Sequence, residues 1–416
     1  MKERRWNFPV FSFVVSTLQH LNKNQGKTIM NQEIVTQINN YFQQQFNSQP
    51  QLYRSPGRVN IIGEHTDYNN GFVLPAAIDK AMYLGINRRE DDIILLHSLD
   101  FNETLEIRLE QVQPQEAAWA NYVLGVVAQL QKRACALSGF NLVFAGDVPI
   151  GSGLSSSAAV ECAVAFALNE SFSLGLSKQE MAFIAQKAEH EYAKVMCGIM
   201  DQFASVFGKR DHLIKLDCRS IEFEYVPLNL NGHKIVLFNT NVSHSLASSE
   251  YNTRRAQCEQ GVGMVKDSYP EVESLRDVDL LMLDEMVKPK DHLIYRRCRY
   301  VVEENQRLLQ GCDDLQRGDI SALGEKMFLS HQGLSRDYEV SCKELDFLAE
   351  AVKAHPAVLG ARMMGGGFGG CTINIIKEEA IESIVPELTA AYEQAMNLPL
   401  TTYIVTTSDG SGKLTL

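Results

Sequence analysis

Apolar positions switch between two repeats along this chain, and the switches divide it into elements. In "MNQEIVTQINNYFQQQF" (30–46), Ile34, Ile38, Tyr41, Phe42 and Phe46 recur at helical spacing, which predicts an amphipathic helix. Val59, Ile61 and Ile62 predict a short strand, and "AMYLGINRR", "DIILLHSLD" and "ETLEIRL" read as further strands. The longer repeat returns in "AAWANYVLGVVAQLQKRACAL", a predicted helix with Lys132 and Arg133 near its end. "GFNLVFAGDVPIG" predicts a strand running into a turn, and "SSSAAVECAVAFALNESF" a helix with very small residues in its first turn. Ser177 and Glu180 form a capping-box pattern ahead of the helix "KQEMAFIAQKAEHEYAKVM". Strands follow at "HLIKLD", "FEYVPL" and "KIVLFNT", and helix dominates from about Ser248 to Lys353. The chain closes with "GARMMGGGFGGCTINIIK", a helical segment and the strand "TTYIVTTS". No internal repeat, linker or low-complexity stretch marks a boundary. A change of lobe near 210–230 gives an expected division into 30–220 and 221–416.

Several polar or glycine-rich stretches interrupt these patterns. In "GEHTDY" (63–68), Glu64, His65 and Asp67 occupy four positions between two apolar runs. Such a cluster could bind a metal, bind a small polar molecule, or form a polar turn. "GGGFGG" (365–370) satisfies G-x-G-x-x-G, but "CTINII" after it is strand-like, so the helix start that holds a pyrophosphate is missing. A sharp turn between a helix and a strand is the simpler reading; five glycines in six positions favour a loop that approaches a ligand or another loop closely. "PIGSGLSSSAAV" (149–160) places Gly151, Gly153 and three serines at the start of a helical run. Unpaired N–H groups and partial positive charge there suit a phosphate, although a capped helix start needs only one serine. Glu189 lies in a helix, where a solvated carboxylate is the default and a Mg2+ ligand the alternative. Asp201 reads either as a helix N-terminal acid or as a site residue. The residues themselves single out neither.

The 416-residue length calls for a large two-lobed unit or two domains. A net charge of −12 argues against nucleic acid as a partner. Nine cysteines with no CxxC pair fit reduced thiols in a cytoplasmic protein, and no HExxH spacing suggests zinc. No apolar run reaches 18 residues, so no membrane span is expected. "MKERRWNFPVFSFVVSTLQH" resembles a signal peptide but lacks a small-x-small cleavage site. Met30 then reads as the functional start, with 1–29 an upstream stretch or loose extension.

Five of these segments, in order, resemble the GHMP kinase superfamily and within it the galactokinase family. "GRVNIIGEHTDYNNGFVLPAAI" looks like the galactokinase signature, "PIGSGLSSSAAV" the superfamily ATP loop, and "GGGFGGCTINII" the third superfamily motif. "CGIMDQFAS" and "NVSHSLASSEYNTRR" resemble further galactokinase segments. The resemblance implies a two-lobed α/β fold, of mixed sheets packed with helices, with the active site in the cleft between lobes. It implies phosphorylation of α-D-galactose at its anomeric hydroxyl by ATP with Mg2+, the first phosphorylation of galactose catabolism. It also implies residue roles. Gly151, Ser152, Gly153, Leu154, Ser155, Ser156 and Ser157 would wrap the ATP phosphates, and Ser157 and Glu189 would hold Mg2+. Asp201 would be the catalytic base beside Arg58, which would keep it ionised. Glu64, His65, Thr66, Asp67, Gly198 and Tyr251 would form the sugar pocket, and Ser98 matches a nucleotide-contact position in a region without a motif. Rival readings are a GHMP kinase for N-acetylgalactosamine or arabinose, and a non-catalytic galactose sensor. The sequence does not set the oligomeric state, and a monomer fits it.

Overall fold

Asn31 opens α1 (Gln32–Phe46), its side chain accepting from the main-chain N–H of Ile34 at 3.4 Å. Val35, Ile38 and Phe42 form the buried stripe; Ile34 and Tyr41 sit at its margins, and Tyr41 stacks on His97. The computed structural model describes residues 30–242 and 247–415. The expected extension over 1–29 lies outside the described residues, as does part of the "NVSHSLASSEYNTRR" segment.

The first stretch continues with β1 (Gln51–Asn60), β2 (Phe72–Val73), β3 (Pro75–Arg88), β4 (Ile93–Ser98) and β5 (Glu103–Arg108). Then come α2 (Ala118–Lys132), β6 (Phe140–Gly146), α3 (Ser156–Ser171), α4 (Lys178–Ala188) and α5 (Met200–Phe207). Strands β7 (His212–Asp217), β8 (Phe223–Pro227) and β9 (His233–Asn239) lead into a helical stretch. It holds α6 (Ala247–Lys266), α7 (Leu280–Met286), α8 (His292–Gln316), α9 (Ile320–Arg336) and α10 (Lys343–Lys353). The chain ends with β10 (Val358–Met363), β11 (Cys371–Lys377), α11 (Ile381–Met396), β12 (Thr401–Val405) and β13 (Gly412–Lys413).

The largest sheet has the order β13-β1-β3-β6-β4-β5 and is antiparallel except between β4 and β6. A second sheet, β10-β11-β9-β12, is wholly antiparallel, and β2-β7-β8 form a small third one. This is the mixed α/β architecture the sequence predicts. β13, from the chain end, pairs with β1, so the first sheet draws on both stretches. α3 is buried from Ala158 to Leu168 and lies against β1 and β3 as well as α2, α4 and α5. Its alanines let it sit close to the sheet, and a helix covered all round has no polar face to reveal its orientation.

Three local differences from the sequence reading have physical causes. β1 begins at Gln51 and ends at Asn60, so of the residues expected to form the strand Val59 lies in it and Ile61 and Ile62 follow it. It is flanked by β13 and β3 and buried almost throughout, so Arg54, Ser55 and Arg58 lie inside the core and hide any alternation. The helix expected through Met196 stops at Ala188 and widens into a π-turn over Glu189–Ala193, which turns Glu189 inward. The capping box at its start is present, with Glu180 N–H donating to Ser177 Oγ at 3.2 Å and Ser177 N–H to Glu180 Oε2 at 2.9 Å.

The glycine-rich stretch joins two antiparallel strands, β10 and β11, and not a helix and a strand. Gly365, Gly367, Gly369 and Gly370 all have φ between +79° and +147°, a region closed to most side chains. A Cβ at Gly370 would lie 3.2 Å from the Ser152 carbonyl oxygen, and one at Gly365 3.4 Å from that of Gly153. The hairpin therefore packs on the 149–157 loop, which is the close approach its glycine content suggests. Among the described residues, no helix is long and apolar enough to cross a membrane.

Candidate active site

The end of β1, the 149–157 loop, the π-turn, α5, α6 and the glycine-rich hairpin converge on one cavity of about 380 Å³. Arg58 emerges at a register shift in β1 between Pro56 and Arg58. Its Nε and Nη2 donate to the two carboxylate oxygens of Asp201 at 2.8 Å each, a bidentate pair, and its Nη1 donates to the Gly153 carbonyl. Asp201 lies in the first turn of α5 and also accepts from the Ser155 hydroxyl. Burial by itself would lower the pKa of Arg58, but Asp201 and Glu64 outweigh it and hold the guanidinium above its ordinary value.

α3 begins at Ser156, with Ser155 before it at φ +59°. Ser157 Oγ donates to Glu189 Oε1 at 3.1 Å, while Glu189 Oε2 accepts from Gln202 Nε2 at 2.7 Å. Gln202 Nε2 also reaches Glu161 Oε2 at 3.3 Å, and Cys197 Sγ donates to Glu189 Oε2 at 3.5 Å, so Ser157 of α3, Gln202 of α5 and Cys197 hold the Glu189 carboxylate. Burial, then the charge of Asp201, pushes Glu189 up to about 7. Among the described residues, no group of three or more His, Cys, Asp or Glu could hold a metal.

"GEHTDY" folds as a tight turn. His65 has φ +63°, Asp67–Asn69 form a 3-10 turn, and the Asn69 and Gly71 N–H groups both donate to the Thr66 carbonyl, at 3.0 and 2.9 Å. Glu64 is 1 % exposed and accepts from Arg362 Nη2 at 3.1 Å and from Gly365 N–H at 2.9 Å. Asp67 is pushed up to about 7 by burial and then by the charge of Asp201. His65 is pulled down to about 3 by burial and then by the Arg254 charge, so its ring is neutral. A Cβ at Gly198 would fall within the Asp67 carboxylate, so only glycine leaves that side chain its place.

Glu64, His65, Asp67, Gly198, Tyr251, Gly151, Gly153 to Ser157, Glu189, Arg58 and Asp201 all line the cavity. Three other expected site residues do not. Thr66 is buried, with its hydroxyl 2.8 Å from the Gly63 carbonyl, and Ser152 Oγ donates to the Pro149 carbonyl at 2.7 Å. Both shape their loops from behind. Ser98 is buried in β4, where its Oγ accepts from Phe101 N–H at 3.4 Å, and it lines neither this cavity nor the next. A neighbouring cavity of about 480 Å³, lined by Asp100, Phe101, Trp119, Tyr122 and Phe144, meets the first at Pro149, Ser156 and Ser157.

Sequence reasoning missed Gln202, Arg362, Cys197 and the aromatic lining of the second cavity. Gln202 directly follows Asp201 in "CGIMDQFAS", and Arg362 is the one charge in "GARMMGGGFGG"; a lone charge in an apolar strand is the available signal for a buried anchor. Trp119 and Tyr122 lie three apart on α2 and read as ordinary core.

Residues 121–209 match the GHMP kinases N terminal domain, 313–394 the GHMP kinases C terminal domain, and 40–88 the galactokinase galactose-binding signature. A mevalonate kinase from Methanococcus jannaschii shares the fold, with a TM-score of 0.60 at 16% identity over 87% of this chain and 99% of that one. The fold and site thus define a GHMP kinase. The galactokinase of Thermotoga neapolitana is 43% identical over 87% of this chain and 99% of its own length. That of Roseiflexus sp. is 39% identical over 90% and 95%. Lactococcus lactis galactokinase, solved in complex with galactose, superposes with a TM-score of 0.88 at 34% identity, covering 91% of this chain and 100% of that one. Within the superfamily, the chain belongs to the galactokinase family.

Proposed function

We propose that this protein is an ATP-dependent sugar 1-kinase, which transfers the γ-phosphoryl group of ATP to the anomeric hydroxyl of α-D-galactose to give galactose 1-phosphate and ADP. The observation that carries the reading is the place of Asp201. Paired with Arg58, it lies in one cavity between the "GEHTDY" loop and the 151–157 loop. A carboxylate there accepts the proton of an attacking hydroxyl or orients it. Arg58 and the N–H groups at the start of α3 face the charge that builds up on the transferring group. Glu64, His65, Asp67, Gly198 and Tyr251 supply the donors and acceptors that a sugar ring of hydroxyls needs. The aromatic second cavity adjoins the phosphate loop and suits the adenine ring of ATP.

Ser157 and Glu189 fit Mg2+, since both offer hard oxygen atoms and Mg2+ takes few protein ligands beside phosphates and water. The repulsion between Glu189 and Asp201 is a second reason a cation suits that wall. The ion when bound neutralises charge on the phosphates. The lobes divide as 30–220 and 221–416 in this reading, and the nine thiols suit a cytoplasmic enzyme.

A sugar panel with ATP, reading ADP release, tests the activity. Turnover is expected to be fastest with galactose. Fastest turnover with N-acetylgalactosamine or arabinose would assign the other sugar, and tight galactose binding without turnover would make the protein a sensor. Asp67→Ala and Gly198→Ala test the sugar wall separately. Each is expected to weaken galactose binding by about 10- to 100-fold, the worth of a hydrogen bond to a charged group, with ATP binding unchanged in calorimetry. The new methyl of the Gly198 variant meets Asp67 alone, from its carboxylate back to its Cβ, so that side chain must shift, and a urea midpoint near the parent's shows that the fold is kept. Loss of ATP affinity in either variant would contradict this division of the cavity.

A further inference from the structure

His65 has a close partner on one ring nitrogen and none at full hydrogen-bond geometry on the other. Its Nδ1 lies 2.7 Å from Tyr68 Oη, which lies 2.8 Å from Tyr338 Oη, which lies 3.2 Å from Cys258 Sγ. Tyr338 and Cys258 are wholly buried, and Cys258 is on α6, far from His65 in sequence. His65 Nε2 is buried with no partner at full hydrogen-bond geometry, although the residue lines the cavity, and the Gly366 main chain beside the ring favours a proton on it. Tyr251 and Tyr338 hold the ring plane, with centroids 5.3 and 4.9 Å from that of His65.

We infer that the buried series Cys258, Tyr338, Tyr68 fixes the tautomer of His65, so that Nε2 presents a proton and not a lone pair to the sugar. Tyr68 and Tyr338 are thereby positioning residues for sugar recognition. The inference rests on the reading of His65 as a sugar contact.

Proton counting leads to this direction. Each tyrosine has one proton, so the series must point wholly toward His65 or wholly away from it. The Cys258 thiol is pushed up to about 11 by burial, so it keeps its proton, and the Asn69 side chain beside it opposes that rise. The Asn69 amide nitrogen is oriented by a 2.9 Å bond to the His65 carbonyl. The protonated sulfur can therefore donate its S–H to Tyr338, 3.2 Å away. Tyr338 then donates to Tyr68, and Tyr68 to Nδ1. The opposite direction would spend the Tyr338 proton on sulfur, a weak acceptor, and leave imidazole nitrogen, the best neutral acceptor present, without a donor. A hydrogen bond at one ring nitrogen sets the state of the other, so the proton of the neutral ring sits on Nε2.

The test uses 15N spectra of the full-length protein, with His65→Ala to assign the His65 signals, and calorimetry with galactose and a non-hydrolysable ATP analogue. The expected result is an Nε2–H tautomer in the parent protein. Tyr68→Phe and Tyr338→Phe should each shift it toward a mixture and weaken galactose binding about tenfold, with the analogue's affinity unchanged. A proton on Nδ1 in the parent would overturn the inference. So would an Nε2–H signal unmoved in both tyrosine variants. Galactose binding that survives His65→Ala would instead overturn the reading of His65 as a sugar contact.

Discussion

Asp201→Asn is expected to lower kcat by about 10²- to 10⁴-fold, the usual contribution of a positioned general base. The change keeps the shape of the side chain and removes one acceptor oxygen and the charge. Arg58 donates to both oxygens in the parent, so the amide leaves one of its N–H groups facing another N–H. Arg58 is 4 % exposed and has few other partners, so it is expected to turn from its present line between β1 and α5. The phosphate loop loses its ties through Gly153 and Ser155 to this pair but keeps Ser152 on Pro149 and the glycine-rich hairpin behind it, so the ATP analogue should still bind. Calorimetry with that analogue and single-turnover kinetics with galactose separate the two effects. Near-normal turnover on a folded variant would remove Asp201 from the chemistry.

Arg362→Met should produce the largest loss of stability among single changes at the site, about 3–5 kcal/mol, read as a lower urea midpoint. Arg362 in β10 is fully buried. Its Nε donates to the Ile61 carbonyl at 2.7 Å and Nη1 to its neighbour Met363 at 2.6 Å, while Nη2 reaches the Asn60 carbonyl and Glu64. One side chain thus ties the glycine-rich hairpin to the end of β1. Methionine fills much of the volume but leaves Glu64 and three carbonyls without these partners, and an unpaired buried carboxylate is costly. Adding Glu64→Gln should recover part of the loss, because the second change removes the stranded charge. If the single variant melts like the parent, or the double variant is worse than the sum, the clasp is not what holds these elements together.

Both predictions concern residues whose importance was unevenly visible in sequence. Asp201 and Arg58 were legible through the segments that resemble a known family, not through spacing, since 143 positions separate them. Arg362 stands three positions before a recognised segment, and its lone charge beside the glycines was the one signal it carried. The "GEHTDY" turn was legible as a bend, and three of its polar side chains line the cavity. Thr66 and Ser98 show the limit. A side chain within a signature, like Thr66, or at a position matched without a motif, like Ser98, need not face the cavity, because alternate positions of a turn or strand point opposite ways. Ser98 fell on the buried side of β4, while Asp100 and Phe101 just beyond it reach the second cavity. Glu189 looked like one more helical carboxylate, and it became distinctive only where the helix widens into a π-turn.

The sequence by itself determined the alternation of strands and helices, the glycine positions that allow sharp loops, and the kinship that names the chemistry. Those properties are local, or are carried by short segments that keep their meaning in isolation. Tertiary structure alone decided which polar groups meet. The Arg58–Asp201 pair, the Ser157–Glu189–Gln202 line, the Arg362 clasp and the Cys258–Tyr338–Tyr68–His65 series each join residues distant along the chain. Their pairing depends on register, burial and the direction each side chain takes from its element, and no local pattern encodes those three together.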